Sequence, residues 1–143
     1  MLSPSEKESK LIQQLRVIIV DDVPDCRDVV ELYLLQKNAL VEAVDSADDV
    51  FKIIESFQPD LIISDICMPR QDGYWLIEKL NKLNLNSEKY VPSIALTAAA
   101  KVEEQEAIIA AGYDGYLAKP FMFEDLTNLI VDVMNRGKLS TKN

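Results

Sequence analysis

"LIISDICMPRQDG" (61–73) decides how this chain folds. Three aliphatic residues, 61–63, run through Ser64 into Asp65, and a turn follows through Met68-Pro69 to Asp72-Gly73. An uninterrupted apolar run predicts a strand buried on both faces, as in the middle of a parallel sheet. A carboxylate at the end of such a strand is costly unless it is paired, hydrated or bound to metal. The rest of the chain shows what that carboxylate belongs to.

On either side of this stretch, strands and helices alternate. Upstream, "RVIIV" (16–20) is a β-branched run that stops at Asp21-Asp22, and Pro24 suits a first helical turn. Cys26, Val29, Val30, Tyr33 and Leu34 then recur at helical spacing up to about Lys37. Residues 40–44 read as a short second strand. Ser46 reads as an N-cap with Asp49 three residues on, before a helix face of Val50, Phe51, Ile54 and Phe57. Downstream, Leu76, Ile77, Leu80 and Leu83 mark a third helix over 75–83, and Pro92 opens a fourth strand ending near Thr97. Residues 101–111 predict a fourth helix, Ala- and Glu-rich, with Gly112 as its cap. "GYLAKP" (115–120) reads as a fifth strand, and Leu126, Leu129, Ile130, Val133 and Met134 mark a closing helix. The first fifteen residues are polar and then weakly amphipathic (Leu11, Ile12, Leu15), which suggests a frayed arm, with a short docking helix as the alternative.

Five strand–helix alternations without in–out patterning imply a parallel sheet covered on both faces. Right-handed crossovers then give an α/β, doubly wound, five-stranded sheet with five helices, in the flavodoxin-like order 2-1-3-4-5. At 143 residues the chain is one domain: a polar extension over 1–15, a folded unit over 16–137 and a tail over 138–143. The start lacks the hydrophobic stretch of a signal peptide, and no apolar run approaches the ~18–20 residues of a membrane span. Cys26 and Cys67 have neither metal-ligand nor disulfide-framework spacing and read as free thiols in a cytoplasmic protein. A net charge of −9 with scattered basic residues argues against nucleic acid as partner. The absence of histidine removes serine-triad chemistry, His-ligated zinc and any histidine phosphodonor role.

In an open α/β sheet, sites lie at the carboxyl ends of the strands. Those ends carry Asp21 and Asp22 (strand one), Asp65 (three), Thr97 (four) and Lys119 (five), which the strand order brings to one rim. At ~5 Å and an effective dielectric of ~20, each pair of carboxylates repels by roughly 3 kcal/mol. Lys119 offsets one charge of three, so a hard divalent cation with oxygen ligands, most simply Mg²⁺, suits the remainder.

These residues resemble the receiver domain of two-component response regulators over about 16–137: an acidic pair after strand one, "SDICMP", "ALTA" and "YLAKPF" in that order. The resemblance implies that Asp65 is the phosphoacceptor, a carboxylate nucleophile that takes its phosphoryl group from a partner's phosphohistidine. It implies that Asp21, Asp22, Asp65 and the backbone carbonyl of Cys67 hold Mg²⁺, while Lys119 and the Thr97 hydroxyl bind phosphoryl oxygens. Tyr116 matches the aromatic that changes rotamer with Thr97, and an edge-strand tyrosine packed on the fourth helix is equally compatible with the sequence. Lys119-Pro120 resembles a pair whose peptide bond is usually cis. The partners implied are a sensor histidine kinase or histidine phosphotransfer protein, a downstream protein target, and a second copy through the fourth-helix to fifth-helix face. Gln71 and Asn38 depart from the usual residues without touching the chemistry. Cys67 and Ala99, two past the acceptor and two past Thr97, offer no carboxylate or amide to order a water, which implies a long-lived phosphoryl group.

Other readings fit less well. A haloacid-dehalogenase-type phosphatase needs a second Asp two residues past its nucleophile, where this chain has Cys67. A flavin or nucleotide module needs a Gly/Ser/Thr-rich loop after strand one, where an acidic pair would repel phosphate. A degenerate receiver that only binds partners conflicts with the complete residue set. The expectation is therefore a signalling phosphoacceptor and not an enzyme acting on other molecules. With only "KLSTKN" after the last helix, it would be free-standing or excised from a larger protein.

Overall fold

The structure, a computed structural model, describes residues 2–68, 72–98 and 101–140, with side chains as far as 136. Pro69, Gln71 and Ala99 lie outside the described residues. The elements are α1 (Pro4–Ile12), β1 (Arg16–Val20), α2 (Pro24–Gln36), β2 (Leu40–Val44), α3 (Ala47–Phe57), β3 (Leu61–Asp65), α4 (Gly73–Leu85), β4 (Ser93–Thr97), α5 (Val102–Ala111), β5 (Gly115–Ala118) and α6 (Phe123–Ser140). All strands are parallel in the order β2-β1-β3-β4-β5. This is the doubly wound, flavodoxin-like architecture.

Period-two alternation of side chains divides the core into two layers. Val17 and Ile19, Leu61 and Ile63, Ile94 and Leu96 pack with Leu34 of α2 and Leu126, Ile130 and Val133 of α6. Ile18 and Val20, Ile62 and Ala95 pack with Val50 of α3, Leu76, Ile77 and Leu80 of α4 and Ile108 of α5. Buried on both faces, β3 and β4 hold every residue out of water, including Ser64, Asp65 and Thr97. Ser46 caps α3 by accepting the Asp49 N–H at 3.3 Å, and Gly112 ends α5 at a φ of 120°. Asn38 takes the left-handed turn into β2 at a φ of 67°. The Lys119-Pro120 peptide bond is cis.

There are six helices, not five. The extension is not a frayed arm: Ser3 caps α1 by accepting the Glu6 N–H, and Pro4 stands in its first turn. Ile12 is fully buried, and with Leu15 it joins the layer containing α6. Two apolar side chains at one end are a weak periodic signal but enough to seat one helix. The Ala- and Glu-rich helix over 101–111 turns little inward: Val102 is 61% exposed and, of its residues, only Ile108 is buried. Finally, α6 continues past 137 to Ser140.

Candidate functional site

The carboxyl end of β1 delivers Asp21 into the sheet's rim, where its side chain is almost fully buried. One oxygen, Oδ1, accepts the Val23 N–H at 2.9 Å, and the other, Oδ2, faces the Lys119 Nζ at 3.2 Å. Asp65 ends β3 and lies 3.5 Å from the same Nζ. Thr97 ends β4, buried, and its carbonyl accepts the Lys119 N–H at 2.7 Å, which ties the end of β5 to the end of β4. The five residues singled out by strand position therefore occupy one rim, and β2 adds none of them.

Asp21, Asp22 and Asp65 each present a carboxylate oxygen within 4.8 Å of the others. Asp22 Oδ1 is buried and has no hydrogen-bond partner among the described residues. A buried oxygen that no protein donor satisfies costs free energy unless something else does so. An all-oxygen donor set with an unsatisfied member fits a hard divalent cation. Cys67 lies two residues beyond Asp65 with its side chain exposed.

Burial pushes the Asp65 carboxyl above the ordinary carboxylate range; Lys119 opposes this and Asp21 reinforces it. Burial pulls the Lys119 ammonium down, but the charges of Asp65 and Asp21 outweigh it and hold the group above its ordinary value. The lysine thus stays charged between two carboxylates.

Three residues that sequence reasoning did not single out hold this rim in shape. Arg27 of α2 donates to the Asp21 carbonyl at 2.8 Å. Gly73 packs against the chain just after Asp65: a Cβ there would lie 2.8 Å from the Ile66 Cα, which no side chain tolerates. Its N–H donates to the Ile66 carbonyl at 3.0 Å, and its carbonyl accepts the hydroxyl of buried Tyr113 at 2.7 Å. The pair Asp72-Gly73 was legible as a turn, but the close approach requires three dimensions to see. Tyr116 on β5 is half-buried, and its hydroxyl donates to Gln105 Oε1 of α5 at 3.1 Å.

Residues 17–131 match the family described as response regulator receiver domain. The chain belongs to that family. This receiver domain is 34% identical over 119 residues to an uncharacterised 14.6 kDa protein of Leptolyngbya boryana, covering 83% of this chain and 89% of that one. It is 29% identical over 142 residues to hybrid signal transduction histidine kinase D of Dictyostelium discoideum, covering 94% of this chain but only 9% of the kinase. Among solved structures, a putative response regulator from Chloroflexus aurantiacus superposes with a TM-score of 0.78 at 28% identity, covering 86% of this chain and 99% of that one. The receiver domain is a signalling module of two-component systems, and among its described residues no helix is long and apolar enough to cross a membrane.

Proposed function

We propose that this receiver domain accepts a phosphoryl group on Asp65 from the phosphohistidine of a sensor histidine kinase or histidine phosphotransfer protein. The observation that carries the reading is the convergence of Asp21, Asp22 and Asp65 within 4.8 Å, with Asp22 Oδ1 buried and unsatisfied and Lys119 between two of the carboxylates. Asp21, Asp22, Asp65 and the backbone carbonyl of Cys67 would hold Mg²⁺. Bound there, the ion supplies neutralisation of the charge on the incoming phosphoryl oxygens.

An Asp65 oxygen forms the new bond to phosphorus while the phosphorus–nitrogen bond breaks and its electron pair leaves with the imidazole. The Lys119 ammonium, already 3.5 Å from Asp65 Oδ1, exchanges that contact for a phosphoryl oxygen. The Thr97 hydroxyl takes a second oxygen. Tyr116 moves with Thr97 and gives up its bond to Gln105, which changes the surface of α5, β5 and α6 that a downstream protein reads. Only one residue of α5, Ile108, is buried, and this supports its role as the moving element. The same α5-to-α6 face would serve a homodimer. The acidic balance favours protein partners over nucleic acid, and the domain, spanning 16–137, would work in the cytoplasm. It is a phosphoacceptor whose only reactions are its own phosphorylation and dephosphorylation.

Acetyl phosphate with Mg²⁺, followed by intact-mass measurement, tests this. The wild type should gain one phosphoryl group, and Asp65→Asn should gain none. Phosphate acceptance by Asp65→Asn at the wild-type rate would assign the acceptor elsewhere.

A further inference from the structure

A cavity of about 330 Å³ opens between the segment following Asp65 and the end of β4. Cys67 lines one side, Thr97 and Ala98 line the other, and Tyr74 and Glu104 reach it from α4 and α5. Ile66 and Cys67, which follow the acceptor directly, and Thr97, which ends the neighbouring strand on the same rim, all line it, so the cavity adjoins Asp65 on the α5 side. The residues lining it include one carboxylate, Glu104. The Tyr74 hydroxyl, raised by burial and then by the charges of Asp72, Cys67 and Glu104, remains a neutral O–H in the same space.

We propose that Glu104 is a positioning residue for loss of the phosphoryl group: its carboxylate orders the water that attacks phosphorylated Asp65 through this cavity. The inference rests on Asp65 being the phosphoacceptor. In the step, the water oxygen forms a bond to phosphorus and the bond between phosphorus and the Asp65 oxygen breaks. The electron pair returns to the Asp65 carboxylate, one water proton stays on the released phosphate, and the other passes to solvent. Glu104 accepts a hydrogen bond from that water and holds its lone pair toward phosphorus, which is the contribution of orientation and not of extra reactivity.

The chain position of Glu104 hides this role. It lies seven residues past Thr97 and in the first turn of α5, where two neighbouring acids, Glu103 and Glu104, look like ordinary partners of the helix dipole. The two differ in direction. Glu104 lines the cavity with Ile108, the residue four further on, whereas Glu103 does not line it. On this proposal α5 supplies the water-ordering group that Cys67 and Ala99 do not offer. Because α5 is also the element proposed to move, its displacement would carry the carboxylate with it and couple phosphoryl lifetime to what docks there.

The test uses full-length chain phosphorylated by acetyl phosphate with Mg²⁺, freed of excess donor, with the decay followed by intact mass. Glu104→Ala should slow the decay by about tenfold. Glu104→Gln, which keeps an oxygen acceptor, should fall between the two. Glu103→Ala removes the same helix-dipole charge from the same turn and should decay like wild type. All three should still take up one phosphoryl group, lost in each when combined with Asp65→Asn, which separates positioning of water from damage to the acceptor. Wild-type decay in Glu104→Ala, faster decay from lost repulsion, or equal slowing in Glu103→Ala would each overturn the assignment. Failure of the wild type itself to take phosphate on Asp65 would instead refute the acceptor reading, and this inference with it.

Discussion

Asp65→Asn should make the metal-free protein more stable. Each of the two other carboxylates comes within 4.8 Å of Asp65, and the Lys119 Nζ lies 3.5 Å away. At an effective dielectric of about 20, each repulsion is worth ~3.5 kcal/mol and the attraction ~4.7 kcal/mol. Two repulsions against one attraction leave the Asp65 charge opposed by about 2 kcal/mol. For a domain of this size, about 2 kcal/mol corresponds to a rise in Tm of roughly 4–8 °C.

Urea denaturation in the presence of EDTA reads this difference directly, and Mg²⁺ reverses its logic. A ligand that binds only the folded state at a hundredfold excess over Kd adds about 2.7 kcal/mol, enough to erase the advantage of the variant. The pH dependence has a definite sign. Because burial and Asp21 hold the Asp65 carboxyl above its ordinary value, the folded state binds its proton more tightly than the unfolded chain does. The wild type therefore gains on the variant as pH falls through the raised folded value, and the gap closes below the ordinary carboxylate range. An Asn variant that is less stable than wild type in EDTA at neutral pH would refute the picture of Asp65 as a net-repelled charge.

Most of the fold was legible because strand and helix periods differ so plainly here. Runs such as "RVIIV" have one reading, and the order of the sheet follows from crossover handedness once five such runs alternate with helices. The rim was legible for the same reason: Asp21, Asp22, Asp65, Thr97 and Lys119 are each the polar residue that ends an apolar run. What escaped was whatever depends on packing across the chain. The helix α1 is held by Ile12 and Leu15 against residues more than a hundred positions away, and local amphipathicity is too weak to announce it. Which apolar residues of α5 face the core also depends on packing: Val102 and Ile109 are exposed, and Ile108 is the one buried. Gly73, Tyr113 and Arg27 support the site through main-chain contacts, which leave no pattern in sequence.

Further expectations follow from the same geometry. Asp22→Ala should lower Mg²⁺ affinity by at least about tenfold, since even an outer-shell partner is worth that much, and calorimetry showing unchanged affinity would remove Asp22 from the metal site. Ile12→Ala should cost about 3 kcal/mol in urea denaturation if α1 is seated in the core, and a loss below about 1 kcal/mol would leave it unseated. Adding beryllofluoride with Mg²⁺ should change amide exchange most across α5 and β5, and a change confined to the segment after Asp65 would count against α5 as the moving element. Cys67→Asn puts an amide at the cavity that Glu104 lines. Both groups would order the same water, so their effects on dephosphorylation cannot add. With Glu104 present, the amide should quicken decay only slightly; in Glu104→Ala it should restore much of the roughly tenfold loss. Strictly additive effects in the four-variant cycle would mean that the two side chains act on different waters, or that the Cys67 position controls entry alone.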